Sequence, residues 1–155
     1  MRQIDAGVEV VQIFDSWAGV LPPREFENWV FSPLRKIVSR IKTERPNAAV
    51  IAFARGAGTH LCRLVAELGA DAYGLDTAAD PVWAAQETAG RAALQGNLDP
   101  LALLAGGAAL DQEVEAILDA LKGHPHIFNL GHGILPQTPI AHVERLVDLI
   151  RKSGA

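Results

Sequence analysis

Short runs that are apolar at nearly every position recur along the chain at residues 8–14, 48–53, 71–75, 92–95 and 126–130. Continuous apolarity of this kind predicts strands buried on both faces, as in a parallel sheet covered by helices. Stretches of helical periodicity lie between them. The first spans residues 24–42, with Pro33 expected to kink it or to divide it in two. The next three span residues 59–68, 81–88 and 111–121, and stop at Gly69, Gly90 and Gly123. Thr138 is the expected cap of a last helix, with Pro139 at its first position and its end near Lys152. Strand and helix in alternation, with short links and no internal repeat, predict right-handed βαβ units in a single α/β domain covering residues 1–155.

Five such units fit either an open doubly wound sheet or the back portion of an eight-stranded (β/α)8 barrel. An open sheet that binds a nucleotide carries a glycine fingerprint at its first turn. Here the first run ends in Asp15-Ser16-Trp17-Ala18-Gly19, and Gly56-Ala57-Gly58 after the second is only a G-x-G fragment. The opening Ile4-Asp5-Ala6-Gly7 has the character of a final helical turn and its glycine stop. The expectation is therefore the last five βα units of a barrel, with the edges of the partial sheet at residues 8–14 and 126–130.

Composition narrows the partners. A net charge of -4, with no basic run, gives no reason to expect a nucleic-acid protein. One cysteine, Cys62, leaves no internal disulfide framework and suits a reducing compartment. No apolar run approaches the ~20 residues of a membrane span, and the N-terminus lacks a signal-peptide pattern. A soluble cytoplasmic chain is expected.

In a parallel sheet the strands' C-terminal ends gather on one face, where ligands are held. Asp15, Ser16, Arg55, Gly56, Asp76, Asn97, Asp99 and His132 fall there. His132 stands out because Gly131 and Gly133 flank it, which permits a sharp turn and the close approach of a ligand. Asp99 before Pro100 has the pattern of a helix cap, and Asp76 suits capping and site chemistry equally. Arg55 could hold a carboxylate through paired hydrogen bonds or form an ion pair with Asp76. His60, His124, His126 and His142 are expected to be structural, and Trp17, Trp29 and Trp83 to pack.

Five ordered motifs now come together: Phe14-Asp15-Ser16-Trp17-Ala18-Gly19, Arg55-Gly56-Ala57-Gly58, Gly74-Leu75-Asp76, Leu94-Gln95-Gly96-Asn97-Leu98-Asp99-Pro100 and Asn129-Leu130-Gly131-His132-Gly133-Ile134. In order and spacing they resemble the C-terminal part of the uroporphyrinogen decarboxylase family, from Gln3 to the end. The resemblance implies a (β/α)8 barrel, a homodimer, and removal of the carboxyl groups of all four acetate arms of uroporphyrinogen III, giving coproporphyrinogen III. It implies a tetrapyrrole as partner and neither metal nor organic cofactor. It also implies that Ser16 and His132 contact substrate and that Phe14 lines the pocket.

The resemblance has gaps. The family's central aspartate, its arginine-rich segment and its substrate-contacting tyrosine belong to the first part of the barrel, so no catalytic residue can be assigned within this sequence, and the isolated chain is expected to be inactive. Tyr73 lies within a predicted strand, outside any tyrosine motif, and Thr77 stands where many members have tryptophan. Two rival readings remain: an inert or partner-dependent half-barrel, and a relative of the zinc-dependent methyltransferases built on the same barrel. The latter need a His-x-Cys pair and a distant second cysteine. His60-Leu61-Cys62 supplies the first, but within a helix, and the sequence has no second cysteine.

Overall fold

The computed structural model describes residues 1–88 and 90–154. Five strands form one wholly parallel sheet in the order β1-β2-β3-β4-β5. They are β1 (Val10–Asp15), β2 (Ala49–Ala54), β3 (Ala72–Gly74), β4 (Ala93–Leu98) and β5 (His126–Leu130). Sequential order without a switch point is the arrangement of successive barrel units, and β1 and β5 are the edges, as expected. The chain opens on a short helix α1 (Arg2–Asp5), which stops at Gly7 with φ +98°.

The helices cover one face of the sheet. They are α2 (Pro23–Phe26), α3 (Ser32–Glu44), α4 (His60–Glu67), α5 (Pro81–Thr88), α6 (Pro100–Ala105), α7 (Gly107–Ala120) and α8 (Ile140–Lys152). Alternate strand residues Val50, Ala52, Ala54, Tyr73, Leu94 and Leu98 point into this helical layer and are buried with Phe31, Leu64, Leu103 and Leu110. The Tyr73 hydroxyl lies in the same core and donates to the Leu64 carbonyl at 2.9 Å, and burial pushes its pKa up to about 12.

Several expectations need correction. The long first helical stretch is divided in two, as expected of Pro33, but the division falls before the proline. A π-helical turn over Glu27–Phe31 separates α2 from α3, and Pro33 sits in the first turn of α3 directly after it. Thr138 does not cap the last helix. Pro139 takes the N-cap position in extended backbone (ψ 137°), and the Thr138 hydroxyl is buried without a partner. The α7 helix begins at Gly107, four residues before the predicted start, and α6 adds a helix where none was expected. Burial on both faces holds for β2 to β4 but not for the edges, where Val10 and Ile127 are nearly half exposed. Trp17 and Trp29 do not pack: Trp17 projects from the turn beyond β1, and Trp29 sits on the outer surface with its indole donating to Glu25. Trp83 does lie against the core.

Candidate active site

The opposite face of the sheet carries no helices. Two-residue alternation places Gln12 and Phe14 on it from β1, Phe53 from β2, Gln95 from β4 and Asn129 from β5. The sheet is curled. Neighbouring strands lie ~4.8 Å apart, so β1 and β4 in a flat sheet would be separated by three such spacings. Yet the Gln95 amide donates to the Gln12 carbonyl at 3.3 Å. Curling turns this face into a trough, and a cavity of about 560 Å³ opens at its C-terminal end.

Phe14, Ser16 and His132 all line that cavity. Phe14 meets Phe53 edge to face, with ring centroids 6.1 Å apart, and still leaves two-thirds of its surface exposed. His132 is exposed on the turn after β5. Sequence reasoning missed Gln12, Gln95 and Asn129, which also line the cavity. The signal that would have found them is phase: Gln12 lies two residues before Phe14 and four before Ser16, on the same face of β1.

Arg55 does not line the cavity. It follows β2 with its side chain exposed, and among the described residues it forms no ion pair. Asp76 is engaged otherwise: one carboxylate oxygen accepts from the Gly56 N–H at 2.5 Å and the other from the Ala78 N–H at 2.8 Å. It braces the loop after β2 against the loop after β3. Asn97 extends the brace by donating to the carbonyls of Asp76 and Ala79. Asp99 caps α6 by accepting from the Leu101 N–H.

The glycines beside His132 have a different purpose from the one expected. Neither Gly131 nor Gly133 adopts positive φ. Gly131 is required by close approach, since a Cβ there would meet the Thr77 backbone nitrogen at 2.6 Å. Likewise, a Cβ on Gly19 would meet the Gly56 carbonyl oxygen at 2.4 Å, and the Gly19 N–H donates to the Arg55 carbonyl. The loops that carry Ser16 and His132 are thus packed, backbone on backbone, against the loops that Asp76 holds together.

The other histidines have structural partners. His60 stacks on Phe26 at 4.1 Å, His142 bonds the Leu103 carbonyl, His124 the Thr88 hydroxyl and His126 the Gly96 carbonyl. The His-x-Cys pair lies in α4, where the Cys62 thiol is 3.6 Å from Glu87 and burial raises its pKa. Among the described residues no three His, Cys, Asp or Glu side chains come together to hold a metal ion, and no helix is long and apolar enough to cross a membrane.

Residues 1–153 match the sequence model of the family Uroporphyrinogen decarboxylase (URO-D). The chain belongs to the uroporphyrinogen decarboxylase family. Curated relatives of that name agree: one from Rhizorhabdus wittichii is 55% identical over 97% of this chain and 44% of its own length. Others from Sphingopyxis alaskensis and Granulibacter bethesdensis are 54% and 53% identical, each over 96% of this chain. The chain therefore spans less than half the length of the decarboxylases it matches, and it corresponds to their C-terminal part. A solved methyltransferase from Methanosarcina mazei superposes with a TM-score of 0.82 at 24% identity, over 98% of this chain and 44% of that one. That likeness concerns the fold, and with the sheet order it identifies the chain as a partial barrel of the TIM type.

Proposed function

We propose that this chain forms one wall of a uroporphyrinogen decarboxylase site, with Ser16 and His132 binding substrate and Phe14 lining the pocket. One observation carries the reading. Three residues that belong to two distant motifs of the family meet in one cavity, at the end of the sheet where barrel enzymes bind their ligands.

The reaction needs no cofactor from this wall. Protonation of a pyrrole ring carbon makes a cationic ring. The C–C bond to the acetate carboxylate then breaks, its electron pair neutralises the ring, and CO2 leaves. A proton taken up by the exocyclic carbon yields the methyl group, and the ring gives up the first proton. The protein must hold the carboxylate arms and stabilise the cation. His132 suits the first task, because an imidazolium makes a charge-assisted bond to a carboxylate and a neutral imidazole an ordinary one. Among the described residues no carboxylate lines the cavity to stabilise a cation, so that task falls to the portion of the family's barrel beyond these five strands. Arg55, exposed outside the cavity, is an outer carboxylate contact in this reading. A cytoplasmic homodimer completes it, supported by the family resemblance, and its stoichiometry is measurable by light scattering of the assembled barrel.

Grafting this chain in place of the matching part of the Rhizorhabdus wittichii relative tests the assignment. The chimera should decarboxylate uroporphyrinogen III. His132→Asn should weaken turnover without abolishing it, and partly decarboxylated intermediates should accumulate. Ser16→Ala should be milder, since one neutral hydrogen bond is worth ~0.5–1.5 kcal/mol. A folded His132→Asn chimera with no turnover at all would make the imidazole the acid instead.

A further inference from the structure

We propose that Gln12 and Gln95 form a neutral reading pair on the floor of the trough, with Gln12 donating to a substrate carboxylate and Gln95 setting the direction of the Gln12 amide. The inference rests on the tetrapyrrole reading above and adds two residues to it. Gln12 interrupts a strand that is otherwise apolar on this face, β1 reading VVQIFD, and Gln95 is followed in phase by Asn97 on β4, which reads ALQGNL. Gln95 is only 7% exposed. Burying a carboxamide in an apolar setting is unfavourable unless its groups are used, and a leucine at either position would fill the trough without that cost.

The direction of their bond decides what they offer. The Gln95 Nε2 donates to the Gln12 Oε1 at 3.3 Å, across two intervening strands. The Gln12 carbonyl is thereby occupied. Its Nε2, with two N–H groups, has no protein partner among the described residues, and Gln12 lines the cavity beside Phe14 and Ser16. Free donors require an acceptor. The pyrrole nitrogens of a porphyrinogen are themselves donors, whereas its carboxylate arms accept. Gln95 itself is almost closed to solvent. Apart from His132, no titratable side chain among the described residues lines the cavity, so the pair binds an anion through dipoles rather than through fixed charge. In this arrangement Gln12 is the contact residue and Gln95 a positioning residue.

Uroporphyrin III, the stable oxidised form of the substrate, is a suitable probe. Its binding to the chimera described above can be followed by quenching of tryptophan fluorescence, with Trp17 next to Ser16 as the near reporter. Gln12→Met should raise Kd about tenfold, or ~1.4 kcal/mol. Gln12→Glu should do more at pH 8, and the loss relative to wild type should shrink at pH 5.5 as the new carboxyl gains its proton. Gln95→Glu should act in the same direction, because a carboxylate can only accept and so turns the Gln12 carbonyl toward the ligand. Gln95→Met should have a smaller effect, leaving the Gln12 amide free to rotate. Thermal melts accompany every variant. Four variants that bind like the wild type, whatever their melting temperatures, would overturn the inference alone. A Gln12→Glu loss of the same size at both pH values would also overturn it, by assigning the effect to packing. A folded wild-type chimera that fails to bind uroporphyrin III would overturn the tetrapyrrole reading itself, and this inference with it.

Discussion

The two faces of the one sheet differ in how far they are finished. Under the helices, Val50, Leu94 and Leu98 are fully buried, and the polar atom of Tyr73 has its acceptor. On the trough side Val10, Phe14 and Ile127, all on the edge strands β1 and β5, are 47%, 67% and 45% exposed, while Phe53 and Gln95 on the inner strands are 7% exposed. Alternation along each strand sends every second residue into one of two environments. The covered face supplies stability. The open face supplies recognition, together with apolar surface that this chain leaves bare.

The contrast can be broken most sharply by truncating one residue from each face. Leu94→Ala on the helical side should cost ~2–5 kcal/mol, because a rigid layer on both sides cannot collapse into the void. Phe14→Ala on the trough side should cost less than ~1 kcal/mol in stability yet weaken tetrapyrrole binding. Urea melts of the two variants decide the matter, and equal losses would mean that the trough is as much a core as the helical side.

The edges offer the next test. Barrels have no edge strands, while β1 and β5 here present unpaired backbone beside exposed Val8, Val10 and Ile127. The isolated chain should therefore self-associate or melt without full cooperativity. Val10→Lys with Ile127→Lys should shift it toward monomer in light scattering, since edge lysines discourage strand pairing. A wild-type chain that is already a monodisperse monomer with one sharp melt would remove the contrast.

A smaller effect sharpens it through pH. His126 starts β5, and burial lowers its pKa from the ordinary 6.5; the bond to the Gly96 carbonyl opposes the shift and His124 adds to it. The unfolded chain thus binds a proton more readily than the folded one. Stability is complete above pH 6.5 and is lost as pH falls from there toward the depressed folded value. Melting temperature should be flat from pH 8 to 7 and decline below 6.5, and His126→Gln should flatten that decline. Carboxylates such as Asp111, held low by its hydrogen bond to Arg145, lose their contribution only in a separate window below their own ordinary range.

The covered face was the legible part of the sequence. Apolar runs located all five strands, glycines located the ends of the helices, and the order of the motifs implied the barrel. Edge exposure followed from strand position, but the exposure of Trp17 and Trp29 did not, because aromatic residues on a turn and on a helix surface look the same in sequence as those in a core. The candidate site was legible where a motif surrounded it, at Phe14, Ser16 and His132. Gln12 escaped notice because only its two-residue phase with Phe14 and Ser16 marks it, and Gln95, although inside a motif, because nothing in that motif shows what it faces across the sheet. Their significance arises only when curling brings β1 and β4 face to face. Arg55 was placed correctly at a strand end, but strand ends form a ring, and only part of that ring faces the cavity.

The glycine contacts at the rim have a consequence for how such a site can change over time. Barrel enzymes are usually thought of as modular, each loop free to lengthen or mutate while the others stay put. Here Gly19 rests on Gly56 and Gly131 on Thr77, with Asp76 tied between them; the first gap is bounded by backbone alone and the second by backbone and the Thr77 methyl, so neither has a long side chain to absorb a shift. Loops locked in this way are inherited as a set. An insertion in one must be matched in its neighbours or be rejected, so new specificity would arise through residues on the floor of the trough sooner than through its rim.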